Sequence, residues 1–227
     1  NCSIGLGAGV FGILIHGEGA DNSNSANGKI SLCTIDSGDR LHHQFEYDCP
    51  NDGIKLNYGT RGWSVYDNTI TDWGHCGIML EGKRGYNTDY NWIYGNLIMA
   101  PDVDYGRGFA IQGGDGQVQY NKFYRNLIVN TTARNQIGGD HNYIYTNIID
   151  GIRNVAHRTD GTAQGISLEA YNTPYGAAVC HDNQFYNNLI MNTDEPGIAV
   201  WGYSGAGSKV SNVFWNNLLY NTGRASK

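Results

Sequence analysis

The sequence predicts an all-β solenoid, a stack of short strands wound into coils. Two repeated elements and the composition carry that prediction. Five segments share the pattern Asn, any residue, large apolar, aromatic, any residue, Asn, any residue, Ile or Leu. A second element, Gly-apolar-any-apolar, recurs between them. The composition is rich in turn formers: 227 residues include 32 Gly, and only 16% are charged. Self-similar units of this size are the mark of coils that each pack on their neighbours. Regularly recurring apolar residues separate this chain from a disordered one.

The Asn motif reads N-W-I-Y-G-N-L-I at 91–98, N-K-F-Y-R-N-L-I at 121–128 and N-Y-I-Y-T-N-I-I at 142–149. It returns as N-Q-F-Y-N-N-L-I at 183–190 and N-V-F-W-N-N-L-L at 212–219. Weaker copies occur at 63–70, with Asn68 in the second Asn position, and near 30–35, with Cys33 there. Successive second-Asn positions are 21 to 41 residues apart. Such spread excludes a strict short-period helical repeat and suits fixed strands joined by loops of variable length. One or two residues separate the strands flanking the second Asn, so that corner is tight. Asn tolerates the left-handed backbone a tight corner needs. Stacked Asn amides would also hydrogen-bond in a ladder from coil to coil. Cys33 is expected to interrupt that ladder.

The Gly-led element reads G-I-L-I at 12–15, G-I-K-L at 53–56, G-I-M-L at 77–80, G-F-A-I at 108–111, G-I-S-L at 165–168 and G-I-A-V at 197–200. Ile137 marks a degenerate copy. Period-2 alternation turns the first and third apolar residues inward and the middle residue outward. Gly before the strand is expected to allow a backbone bend. Each coil therefore has three short strands: the Gly-led strand and one on either side of the second Asn.

These features resemble the right-handed parallel β-helix of the pectate-lyase-like superfamily, over nearly the whole chain from Gly12 to Leu219. The resemblance implies a single domain over 1–227 with seven to eight coils and an Asn ladder at the tight corner. No amphipathic capping helix is evident at either end. Open ends of a β stack pair with other chains, so the sequence reads as a piece of a longer protein, or one that associates through uncapped ends. The resemblance also implies an extracellular or cell-surface setting.

The formal net charge of −6 argues against nucleic acid, which rewards clustered Lys and Arg. No apolar run approaches the roughly 20 residues of a membrane span. Five cysteines, Cys2, Cys33, Cys49, Cys76 and Cys180, cannot all pair within the chain. Cys49 and Cys76 precede equivalent strands on adjacent coils, which makes them a candidate disulfide. No C-x-x-C spacing points to zinc.

In β-helix polysaccharide enzymes the substrate groove usually follows the outer face of one sheet. By resemblance this would be the Gly-led strand. Its outward middle residues are Leu14, Lys55, Met79, Ala110, Ser167 and Ala199. Two residues on come His16, Asn57, Glu81, Gln112, Glu169 and Trp201. Polar groups meet sugar hydroxyls, and Trp201 with Tyr171 or Tyr203 would stack on a ring face. A solvated sheet face is polar as well, so both readings stand.

Lys55 is the only basic middle residue. The segment N-D-G-I-K-L-N-Y-G at 51–59 resembles the lysine-bearing strand of some β-helix pectate lyases. The resemblance implies a lysine base that removes the proton beside a uronate carboxylate in a polysaccharide. That β-elimination also needs the carboxylate neutralised. Calcium often serves, and Glu46, Asp48 and Asp52 are the candidate oxygen ligands. Glu81 joins from the next coil, and Lys83 and Arg84 would lower the lysine pKa if close. The expected catalytic set is Lys55, Glu81 and Arg84. Lys55→Ala is expected to abolish elimination and leave the fold intact. A lone lysine on a strand is more often a solvated one, so a non-catalytic glycan-binding or structural segment of a surface, phage-tail or multidomain protein remains an alternative. A glycoside hydrolase would need carboxyl pairs roughly 5–10 Å apart, such as Asp115 with Asp140 or Glu18 with Glu81. His75 lies before Gly77 and would approach the groove. His157 and Arg158 sit in the longest connection.

Overall fold

The computed structural model describes residues 2–5, 11–17, 26–36, 52–83, 85–101, 106–113, 117–154, 163–170, 172–173, 176–177, 179–202 and 211–223. These residues are all-β, without helix, and most strands fall into four all-parallel sheets. A short antiparallel pair, Asn172–Thr173 with Gly176–Ala177, stands apart. The arrangement is compatible with a parallel β-solenoid. No helix among the described residues is long and apolar enough to cross a membrane.

The Gly-led sheet stacks Phe11–His16, Asp52–Asn57, Cys76–Glu81, Arg107–Gln112, Asn135–Ile137, Ile166–Ala170 and Ile198–Gly202 in that order. An aromatic sheet runs from Lys29–Ser31 through Ser64–Tyr66, Trp92–Tyr94, Lys122–Tyr124, Tyr143–Tyr145 and Gln184–Tyr186 to Val213–Trp215. A third sheet begins with Cys2–Gly5 and Cys33–Asp36 and ends with Leu218–Thr222. The expectation of three strands per coil needs amendment. A fourth parallel sheet of two-residue strands, Thr88–Asp89, Val118–Gln119, Gly139–Asp140 and Cys180–His181, lies just before the first Asn of the motif.

The core forms where inward residues meet in register. Val65, Ile93, Phe123, Ile144 and Phe185 align on the aromatic sheet. Ile70, Ile98, Ile128, Ile149 and Ile190 align on the third. All are essentially inaccessible, so each contributes roughly 1.5–3 kcal/mol of apolar burial. At the far end, Phe214 and Leu219 pair in register with Phe185 and Ile190 yet are exposed.

The glycines of the Gly-led strand have a different cause from the one expected. A Cβ on Gly53 would meet Ile70 Cγ2 at 2.6 Å, and one on Gly77 would meet Ile98 Cγ2 at 2.3 Å. The Gly-led sheet approaches the third sheet too closely for any side chain. Close approach, not backbone freedom, selects glycine there.

Two rows of Asn cross the coils. In the second-Asn row, Nδ2 donates to the next Oδ1 from Asn68 to Asn96, Asn126 and onward, and Asn147 to Asn188 to Asn217. Cys33, placed in this row by the sequence, is disulfide-bonded, and its N–H donates to Asn68 Oδ1 at 3.0 Å. The first-Asn row repeats the arrangement through Asn91, Asn121 and Asn142, and from Asn183 to Asn212.

The left-handed residue is not the Asn itself. It is the residue before: Asp67, Arg125, Thr146, Asn187 and Asn216, with φ between 51° and 57°, and Gly95 at 67°. Tyr90, Tyr120, His141, Asp182 and Ser211 do the same before the first Asn. Each Asn side-chain oxygen also accepts a backbone N–H from the preceding coil, as Asn96 does from Asn68 and Asn126 from Asn96. Thr146 is a β-branched residue at φ 56°, a conformation L side chains resist by roughly 1–2 kcal/mol. Thr146→Gly is expected to raise stability by about 1 kcal/mol in urea titrations, because the relieved strain exceeds the entropy glycine adds to the unfolded chain.

Outside the aromatic sheet, Tyr66, Tyr94, Tyr124, Tyr145, Tyr186 and Trp215 stack ring on ring, with centroids 4.4–5.1 Å apart. Such pairs add roughly 0.5–1.5 kcal/mol each beyond their burial.

Candidate functional site

The two outward columns read from the alternation coincide with strand register. Leu14, Lys55, Met79 and Ala110 align, as do His16, Asn57, Glu81 and Gln112. Farther on, Gln136, Ser167 and Ala199 extend the first column, and Glu169 and Trp201 the second. The Gly pushes the residue before it outward too. That adds a third column of Phe11, Asp52, Cys76 and Arg107.

This face is not an open groove along its middle. Met79, Ala110, Gln136 and Ser167 are buried, and Lys55 is only 8% exposed. Leu14 at one end and Trp201 at the other are exposed. Both readings made from the sequence assumed solvent contact along the whole face, and here burial corrects them.

Within the closed stretch six ionisable side chains meet. Lys55 Nζ lies 2.6 Å from Glu81 Oε2 and 3.8 Å from Asp52 Oδ2. Asp52 is fully buried, and its Oδ2 has no hydrogen-bond partner. Asp52 Oδ1 sits 2.8 Å from His75 Nδ1, and Arg107 Nη1 sits 2.7 Å from His75 Nε2. Cys76 Sγ is 3.6 Å from the same Nδ1. Cys76 is a free buried thiol, so the candidate disulfide with Cys49 does not form.

His75 is the most perturbed group described. Burial opposes its charging, but Cys76 and Asp52 outweigh burial and raise the pKa to about 10. The Arg107 contact acts in the other sense, because an arginine N–H needs a lone pair on Nε2. The proton is on Nδ1, donated to Asp52, and Nε2 accepts from Arg107. Asp52, His75 and Arg107 thereby form one hydrogen-bonded chain across three successive coils.

The ligand atoms of Asp52, His75 and Cys76 lie within 4.8 Å of one another, close enough to share a metal ion. Two features oppose it. A metal on Nδ1 would displace the proton that the Arg107 contact keeps there, and Lys55 already stands beside the carboxylate. Asp52 fits calcium no better, since Oδ1 is taken by His75, and Lys55 and the Cys76 thiol beside it offer no oxygen ligand. Glu46 and Asp48 lie outside the described residues.

Other candidates are placed as follows. Asn57 Nδ2 is 3.3 Å from His16 Nδ1, and the His16 ring meets Tyr58 edge-on. Gln112 donates to Gln136 at 3.0 Å. Glu169 is buried between Ser167, 2.9 Å away, and Arg134, which forms a short ion pair with it. Lys83 lies over the Tyr58 and Tyr86 rings. Arg84, Tyr171, Tyr203, Asp115, Glu18, His157 and Arg158 lie outside the described residues. Asp140 is held by its neighbour His141 at 2.9 Å.

Arg107, Arg134 and Gln136 were not among the sequence candidates. Arg107 had a readable signal: it precedes Gly108 as Asp52 precedes Gly53. Only the residues after each glycine had been aligned. Gln136 was hidden because its strand, Asn135–Ile137, lacks the leading Gly.

No known protein family, curated protein or solved structure matches the chain.

Proposed function

We propose that this chain is a carbohydrate-active right-handed parallel β-helix of seven to eight coils, whose Asn rows act as ladders. We further propose that it cleaves a uronate-containing glycan by β-elimination. The contact of Lys55 with Glu81 at 2.6 Å carries the reading. Elimination needs a base for the proton beside the carboxylate and an acid for the departing oxygen. Passing one proton from the Lys55 ammonium to Glu81 creates both. The Lys55 amine then takes the carbon-bound proton, whose electron pair becomes the new C=C bond. The C–O bond to the next sugar breaks, and its electrons stay on oxygen. Glu81 protonates that oxygen, so the pair returns to ammonium and carboxylate. Arg107 suits the remaining task, because a guanidinium pairs well with a carboxylate. No step needs calcium.

The burial of Lys55 favours a second reading. A buried ion cluster on a repeat stack can serve only to hold strands in register, in a non-catalytic glycan-binding or structural segment. One assay separates the two. The protein is incubated with pectate, alginate and a glycosaminoglycan, with and without calcium, and the ultraviolet absorbance of an unsaturated uronate is followed. A rise on at least one polymer is expected. Flat traces on all of them would sink the elimination reading, and reducing-sugar release from neutral polymers would then test hydrolysis.

A further inference from the structure

We infer that the aromatic sheet carries a second glycan site, a groove for an acidic polysaccharide chain, separate from the Lys55 cluster. It shares with the proposed function only the class of ligand. The sheet's outer face carries two columns. One is the stacked tyrosine row already described. The other runs through Trp92, Lys122 and Tyr143 in register. These three form the floor of a groove. Tyr145 and Tyr186 of the stacked row make one wall. Tyr90 and Tyr120, the left-handed residues before the first Asn, make the other and stack on each other at 5.2 Å.

The chemistry of the groove selects its occupant. Within the stacked row each ring face is covered by the next ring, so those tyrosines offer edges and hydroxyls to solvent rather than faces. Burial, then the neighbouring tyrosines, push the Tyr145 and Tyr186 hydroxyls above their ordinary pKa. Tyrosine hydroxyls are protonated at neutral pH in any case, and these are able to donate hydrogen bonds to sugar oxygens. Trp92, 38% exposed on the floor, supplies apolar surface for the C–H face of a sugar ring. Lys122 is exposed beside it and places a cation in a chain of net charge −6. Arg125 lies near enough to Tyr145 to lower its pKa in opposition to the other influences. Aromatic surface, hydroxyl donors, a cation in the groove at Lys122 and a second near its Tyr145 wall fit an acidic sugar chain. A nucleic acid would require a far more basic surface.

Affinity electrophoresis tests this, with polygalacturonate or alginate cast in the gel and dextran as the neutral reference. Retardation is expected in an acidic gel and not in dextran. Trp92→Ala and Lys122→Gln should each lower the apparent affinity at least fivefold. Leu127→Ser, an exposed change on the third sheet and in neither proposed site, should keep it. Circular dichroism spectra matching the parent's would establish that the variants fold. Absence of retardation in both acidic gels overturns the proposal. So does equal retardation in dextran, or unchanged retardation of both groove variants. Retardation without elimination supports this groove and defeats the lyase reading. Elimination without retardation does the reverse.

Discussion

Replacing Asn126 by aspartate is expected to destabilise the folded chain by roughly 3–5 kcal/mol, on the scale of a buried, unmatched charge. The substitution conserves shape, so the loss is electrostatic. Asn126 Oδ1 accepts from the backbone and side-chain nitrogens of Asn96 at 3.1 and 3.0 Å. An aspartate oxygen keeps those two bonds. Nδ2, however, donates to Ile93 O, Tyr124 O and Asn147 Oδ1, all within 3.1 Å. A second carboxylate oxygen would face three acceptors at a site 2% exposed. The folded state therefore disfavours the ionised acid and raises its pKa above the unfolded value of about 3.9. The sign follows: the deficit against the parent chain is full at neutral pH and shrinks as pH falls through that raised pKa. Urea unfolding of both proteins at pH 7 and pH 4 measures it. A deficit below about 1 kcal/mol at pH 7 would show that the Asn rows are incidental to the stack. Because coils contact only their neighbours, a weak central coil should also lower the urea m-value as the two halves begin to unfold separately.

That central position was legible in the sequence, while its mechanism was not. Alternation at period 2 suffices to name inward Ile98 and Ile128 and outward Lys55 and Glu81, because strand geometry leaves only two directions. Spacing suffices to find Asn126 and its counterparts Asn96, Asn147, Asn188 and Asn217 in the other copies of the motif. Nothing in one residue's type says which neighbour adopts φ > 0, and the sequence assigned it to Asn when Arg125 and Thr146 adopt it. The glycines were visible, but their cause was not, because the Cγ2 atoms of Ile70 and Ile98 that exclude a Cβ come from another sheet. The candidate site divides in the same way. Lys55 with Glu81 follows from register, a local property. The burial of Met79 and Ala110, and the reach of Arg107 to His75, depend on contacts between coils that no single strand shows. The tyrosine row lay in plain view in the motif's aromatic position. Its stacking was not legible, because ring-on-ring contact between coils depends on register across strands far apart in sequence.

Lys55→Met is expected both to abolish elimination and to weaken the fold, by about 3 kcal/mol. The second effect revises the expectation that a Lys55 substitution leaves the fold intact. On a solvated strand it would have done so. Here the ammonium stands 2.6 Å from Glu81 and 3.8 Å from the fully buried Asp52. Removing it leaves two carboxylates side by side without their cation. Pairing Lys55→Met with Glu81→Gln in a double-mutant cycle should give a coupling above 1 kcal/mol, where an exposed pair gives less. Stability and catalysis then need to be told apart, and Lys55→Arg does it. Arginine keeps the charge between the two carboxylates, so the melting temperature should stay near that of the parent chain. Its guanidinium does not give up a proton in a protein, so it cannot pass one to Glu81 and become a base. A stable, inactive Lys55→Arg protein is the expected result. A Lys55→Arg protein that still produces unsaturated uronate would move the base to another residue and leave Lys55 a purely structural ion.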